Sequence, residues 1–241
     1  MGYMLRCLLL LLWLQGTVAQ TGILELHYDF RLDLGVEMRY QARLLIQEGL
    51  SLFIWGRPDP AGDSGDPYEF TIQMASDSLS SFTFADRVSD RMLSRLPFIG
   101  GKHYLVRETV PRIPWKLTGR TRQIGSYACQ EATAAFRGRI FRVWFCPAVA
   151  VSAGPWKLSG APGLIVYAAD ELGEVSFLLR KLRHVPGVVA LPETEGTRID
   201  LDEFVQLQKQ FGSNILRRVN AKLPRGSRIS LTGQNALERF D

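Results

Sequence analysis

The residues best equipped for chemistry are Cys129 and Cys146, which bound the stretch CQEATAAFRGRIFRVWFC. Arg137-Gly138 at its centre suits a two-residue hairpin turn, because glycine tolerates the positive φ that such a turn demands. Counting outward from a Phe136:Arg139 pair sets Cys129 opposite Cys146, in the class of pair that exchanges no backbone hydrogen bonds and holds Cα atoms about 4.5 Å apart. Disulfides span Cα separations of about 4.4–6.8 Å, so the pair is expected to oxidise in an oxidising compartment and to stabilise the fold by about 3 kcal/mol. The same register gathers Ala128, Ala132, Ala134, Phe141, Val143 and Phe145 on a core face. Glu131, Thr133, Arg142 and Trp144 lie beside the cysteines on the other face, with Glu131 and Arg142 placed for a diagonal ion pair. A bulged turn would separate the cysteines. No Cys-x-x-Cys spacing lowers a thiol pKa here, so a structural staple is expected and exchange chemistry is not.

Other constellations fail on spacing. Gly62-Asp63-Ser64-Gly65 resembles the glycine-flanked serine of chymotrypsin-like proteases, but too little chain precedes Ser64 to hold the histidine and aspartate that such a fold needs upstream. His27, His103 and His184 fall in three different segments, so none has the spacing of a metal pair, and no metal site is expected. No nucleophile elbow, phosphate-binding loop or dinucleotide fingerprint occurs, and no cofactor is expected. Carboxylates are numerous enough for two to converge as glycosidases require, although sequence does not pair them. Trp55, Trp115, Trp144 and Trp156 could line a glycan or lipid surface; a core role is the expectation.

The elements that must carry these residues read as strands. ILELHYDFRLD (23–33) alternates, with Leu24, Leu26, Tyr28, Phe30 and Leu32 on a core face and Glu25, His27, Asp29, Arg31 and Asp33 on an exposed one. Segments 36–47 and 50–55 pair across Glu48-Gly49, and further strands are expected at 68–75, 80–86, 102–109, 115–124, 127–135, 139–146, 163–169 and 173–183. Residues 59–67 form a polar loop rich in Gly, Pro and Asp. One helix is expected over about 200–222, opening on an Asp200-x-x-Glu203 box and presenting Phe204, Leu207, Phe211, Ile215 and Val219 as an apolar stripe. The fold class is therefore mainly β (α+β): a curved antiparallel sheet or open half-barrel whose face is covered by one C-terminal amphipathic helix.

Composition adds a compartment. Residues 1–19 read as a secretory leader, with Arg6, an apolar run from Leu8 to Leu14 and Thr17-Val18-Ala19 as the cleavage site. Residues 20–241 then form a single β-rich domain, and no later segment is long and apolar enough to cross a membrane as a helix. Loss of Arg6 takes the formal charge from +5 to +4. Basic clusters at 180–184, 216–222 and 225–228 read as solvated faces with a mild preference for anionic surfaces, and nucleic acid is not an expected partner.

GPWKLSGAPGLIVY (154–167) has Gly154-Pro155 and Pro162-Gly163 corners around Trp156 and Gly160, leading into Leu164 and Ile165. Pro162-Gly163 suits the centre of a type II turn. With Ala161 in the position of a leucine, GPWKLSGAPGLI resembles the Gly-Leu-Pro-Gly-Leu-Ile signature of the GLPGLI family of exported bacterial proteins. The resemblance extends to IGSYACQEATAAFRGRIFRVWFCP and, more loosely, to GLSLF (49–53) and NALE (235–238). Cys146 departs from the family pattern. The resemblance implies export in a gram-negative envelope, to the periplasm or the outer-membrane periphery, and brings no catalytic residues with it. The expected function is a non-catalytic binding or accessory module for an envelope transport or assembly system. Its surface or groove would take an envelope protein, lipid, glycan or peptide, with the Trp156 loop as a docking element. An envelope-polymer hydrolase using converging carboxylates or a serine is the alternative.

Overall fold

The structure, a computed structural model, describes residues 22–33, 37–56, 81–98, 102–220 and 237–240. Two antiparallel meanders form one sheet. The first runs β1 (Ile23–Asp33), β2 (Glu37–Gln47), β3 (Leu50–Gly56), β4 (Ser81–Asp86), β5 (Arg91–Phe98) and β6 (Lys102–Glu108). The second runs β7 (Lys116–Ile124), β8 (Tyr127–Phe136), β9 (Arg139–Cys146), β10 (Leu164–Asp170) and β11 (Val175–Val185). β1 pairs with β11, which makes the two meanders continuous, and β12 (Thr197–Asp200) adds to β6 in parallel. The order is β12-β6-β5-β4-β3-β2-β1-β11-β10-β9-β8-β7.

Chain length forces this sheet to curl. β6 and β7 stand ten strand positions apart, which in a flat sheet is about 48 Å at the usual strand spacing. Residues 109–115 are the whole link between them, and so short a segment reaches at most about 28 Å when extended. The two ends must approach one another, and they do: Arg137, in the β8–β9 turn, hydrogen-bonds Glu108 at the end of β6. Among the described residues the edge strands β12 and β7 do not pair with each other, so the half-barrel stays open.

The bowl is filled by the chain itself. Alternate residues Leu26, Tyr28 and Phe30 of β1, Leu44 of β2, Phe141 and Val143 of β9, and Phe177 of β11 face inward. Segment 147–163 lies against them through Ala153, Trp156, Leu158 and Ala161, all buried. It is bonded in place: the Tyr28 hydroxyl donates to the Ile165 carbonyl at 2.7 Å, Ile165 N to Ala153 O at 2.9 Å, and Trp115 Nε1 to Ser159 O at 2.8 Å. On the back of the first meander Ile23, Leu52, Ile54, Phe82 and Leu105 form a second cluster with Val189. The return from β11 to β12 supplies Val189, whose N–H donates to Gln47 at 2.9 Å.

α1 (Leu201–Asn220) follows Asp200, as the Asp-x-x-Glu spacing implies. It touches β6 and β12, covering one end of the sheet through Phe204 and Leu207 rather than a whole face. The side chains of Ile215 and Val219, residues 221–222, the strand expected at 68–75, the loop at 59–67, the leader and the 225–228 cluster lie outside the described residues. β5 and β12 are additions to the expected strands. β5 buries Ser94 and Arg95 in place of apolar residues, which breaks the alternation that would have marked it.

Candidate functional site

Three motif segments converge where the two ends of the sheet meet. The β8–β9 turn has both central residues at positive φ, Arg137 at 50° and Gly138 at 68°, the geometry of a type I′ turn. A side chain on Gly138 would collide with the Arg239 carbonyl, so segment 237–240 can lie directly on the turn, with Arg239 N donating to Arg137 O at 3.0 Å. Arg139 Nε donates to Leu237 O at 3.2 Å. This arrangement carries Glu238 to the mouth of the bowl.

There Glu238 meets Lys157, from the centre of GPWKLSGAPGLI. Lys157 is 1% exposed, and its Nζ pairs with Glu238 Oε1 at 2.5 Å and with Glu108. Arg137 completes the group through Glu108 and, at 3.6 Å, Glu238 Oε2. Two carboxylates and two cations cancel in a site largely closed to water. Beside them Arg139 pairs with Asp170 at 2.5 Å and with Glu174 at 2.7 Å, and Arg239 also reaches Glu174. Lys157 thus gives the proline-glycine segment a charged role that its own sequence does not signal. A lysine amid apolar and turn residues gave no pattern, since its partners come from distant parts of the chain.

Glu108 and Glu238 are thus the converging carboxylates that a hydrolase would need, but each is held by Lys157 and Arg137. A glycosidase acid or base has to reach its substrate. Pairing of this kind is what a buried charge requires merely to be accommodated. A hollow of about 430 Å³ opens beside the group, lined by Phe136, Arg137, Leu201, Val205, Arg239 and Phe240 among others.

The corners of the loop differ in detail from expectation. Pro162 centres a three-residue turn, with Gly163 N donating to Ala161 O at 2.8 Å, and not a type II turn, because Leu164 N is engaged by Val149 O at 3.2 Å. Gly163 takes φ 147°, and a Cβ there would stand 2.3 Å from the Cys146 carbonyl oxygen. Upstream, Leu158 N bonds Pro155 O at 3.0 Å, and Trp156 sits at φ 56°. Gly154 is equally confined, by Leu158 O and Ile165. Gly160, at φ 89°, faces only the Trp115 ring. Ala161, Leu164 and Ile165 are fully buried. Trp156 is buried against Phe136 and Phe141 at ring distances of 5.6 and 6.0 Å, so it belongs to the core and does not serve as a docking element.

β8 and β9 pair from Phe136↔Arg139 to Gln130↔Phe145 without a shift, the register expected from the turn. Arg142 Nε lies 3.4 Å from Glu131 Oε1, realising the diagonal ion pair. Arg122 covers Trp144 at 4.6 Å. Cys129 and Cys146, the pair expected to oxidise, are both buried and carry thiols in this structure, and Cys129 Sγ contacts Tyr127 O at 3.5 Å. Burial, with Cys146 close by, pushes the Cys129 thiol up to about 11.

His27 and Glu25 depart from the exposed face expected of them: both are buried. Glu25 binds Arg43 at 3.0 Å and Arg183 at 2.6 Å, and His27 Nε2 stands 3.4 Å from it. Two arginines reaching in from neighbouring strands make that burial tolerable, and alternation within β1 does not reveal them. Burial opposes the Glu25 charge, but the hydrogen bond from Arg183 and the charge of Arg43 hold its carboxyl below the usual range. Burial holds the His27 imidazole below its ordinary value despite Glu25. Arg180 likewise pairs with Asp29 at 2.6 Å, so much of the 180–184 cluster is neutralised. His103 lies on β6 and His184 on β11. Among the described residues no group of three or more His, Cys, Asp or Glu could hold a metal, and no helix is long and apolar enough to cross a membrane.

No family model matches this chain, and no curated protein matches it. Among solved structures it is similar to PNGF-II in two space groups, P21 and C2, with TM-scores of 0.54 and 0.52 and identities of 12% and 13%. Each covers 77% of this chain, whereas the chain spans 33% and 32% of PNGF-II, about a third of its length. That likeness is one of fold. A LolA superfamily protein from Nitrosomonas europaea also aligns, at TM-score 0.30 and 10% identity over 71% of this chain and 89% of that one.

Proposed function

We propose that this chain is an exported, non-catalytic binding or accessory module of a gram-negative cell envelope, one of the GLPGLI proteins, acting beside a transport or assembly system. The observation that carries the binding reading is the filled bowl with its neutralised mouth. Segment 147–163 occupies the concave face, and the converging carboxylates are held by Lys157 and Arg137. What the mouth offers a partner is its outer rim, where Phe136, Leu201, Val205 and Phe240 flank the hollow of about 430 Å³. A ligand is therefore taken at the rim, by an apolar patch edged with guanidinium groups, and not inside the sheet. Export is supported by the leader pattern of residues 1–19, and the envelope setting by the motif resemblance.

The test is a photo-reactive amino acid placed at Val205 or Phe136 in cells making the full chain, with the mature N-terminus sequenced in parallel. Maturation before Gln20 and cross-links to an envelope protein, lipid or glycan are the expected results. Turnover of an envelope polymer by the purified protein, lost in a folded Glu238→Gln variant, would overturn the non-catalytic reading.

A further inference from the structure

We propose that Cys129 and Cys146 close an intramolecular disulfide that ties β8 to β9 at the foot of the loop filling the bowl. The two-residue turn at Arg137-Gly138 fixes the register, and the β8–β9 ladder is unbroken as far as Gln130↔Phe145. The next pair outward is Cys129 with Cys146. Alternation from Phe136↔Arg139 makes it a pair without mutual backbone hydrogen bonds, the closer of the two classes, with Cα atoms about 4.5 Å apart. That spacing falls within the range a disulfide bridges. Both side chains are buried on one face of the hairpin, and each thiol lies within electrostatic reach of the other.

The position gives the bond a structural consequence. Segment 147–163 leaves the sheet directly after Cys146 and returns to it at Leu164, which pairs with Cys146. Val149 N donates to the Cys146 carbonyl at 3.2 Å, and Gly163 packs against the same carbonyl. A bond from Cys146 to Cys129 therefore anchors both ends of the plug to β8.

The chemistry needs an external disulfide as oxidant. One cysteine thiolate attacks a sulfur of oxidised glutathione, forming a mixed disulfide and releasing one glutathione thiolate. The second cysteine then attacks the protein-bound sulfur, forming the Cys129–Cys146 bond and releasing the second glutathione. Two protons leave the cysteines, and one glutathione disulfide is reduced to two thiols. The buried Cys129 thiol is held protonated at neutral pH, so the bond forms fastest while the chain is folding.

The full chain refolded in a glutathione redox buffer tests this. After alkylation of free thiols, trypsin separates the cysteines into peptides 123–137 and 143–157. The expected product is the two peptides joined and two hydrogens lighter. It is absent in Cys146→Ser, and the variant's melting temperature falls by about 6–12 °C relative to the oxidised protein. Faster hydrogen exchange across 147–163 after reduction is the second expected readout. Natively folded protein with both cysteines alkylated, or a bond from either to Cys7, overturns the proposal. The geometry does not depend on export: a bond that forms in glutathione but is missing from protein taken from cells upholds this inference and counts against the exported location.

Discussion

Lys157 Nζ lies 2.5 Å from Glu238 Oε1, joining the middle of the buried loop to the C-terminal segment at a point closed to water. Removing one partner of a buried ion pair leaves the other charge uncompensated, at a cost of about 3–5 kcal/mol. Lys157→Met should therefore lower the urea stability by that amount, because Glu108 and Glu238 would be left to Arg137 alone. Glu238→Gln, which leaves Lys157 its Glu108 partner, should cost less. Lys116→Ala on exposed β7 should stay within about 0.5 kcal/mol. Equal effects of Lys157→Met and Lys116→Ala would mean that the buried group does not hold the loop.

Gly163 and Gly119 both sit at positive φ, 147° and 78°, in different surroundings. An added Cβ meets the Cys146 carbonyl at 2.3 Å in the first case and nothing within 4 Å in the second. Gly119→Ala should show only the backbone penalty, about 1–2 kcal/mol. Gly163→Ala should cost more than about 3 kcal/mol, since strain and a clash with backbone act together. Chemical denaturation of the two variants makes the comparison, and parity would show that β10 can shift away from Cys146.

The strand pairing and the helix start were legible because their signals are local: alternation in β1, a glycine turn between β8 and β9, an Asp-x-x-Glu box before α1. The diagonal pair Glu131–Arg142 followed from register alone. What sequence did not show depends on the curl of the sheet. Glu108, Arg137, Lys157 and Glu238 come from four separate segments, and only closure of the bowl brings them together. The short link 109–115 between β6 and β7 would have implied that closure, but only once the strand order was known. His27 was misplaced for a similar reason, because its cover comes from Arg43 and Arg183 on neighbouring strands.

Acid should act on the fold through His27 and Glu25. The His27 pKa is held below 6.5, so as pH falls through that value the unfolded chain takes up a proton that the folded chain does not, and stability drops. Glu25 is held below 4.5, so its contribution is present above that value and is lost as pH falls below it. The urea midpoint should decline from pH 7.5 to 5.5 and again below pH 4.5. His27→Gln should flatten the first decline and leave the second. An unchanged first decline in that variant would assign it to another group.

The Cys129 thiol should report its burial through its reactivity. In a Cys146→Ser chain the neighbouring thiol is gone but burial, the larger cause of the raised pKa, remains. Alkylation proceeds through the thiolate, whose fraction grows about tenfold per pH unit below the pKa. The alkylation rate of Cys129 in the folded variant should therefore climb steadily from pH 7 past pH 9. In urea the same thiol should level off near the ordinary value of about 8.5. Mass-resolved alkylation of peptide 123–137 at each pH makes the measurement. If folded and unfolded chains level off together, Cys129 reacts from an opened hairpin, and the face carrying Trp144 and Arg122 does not seal it.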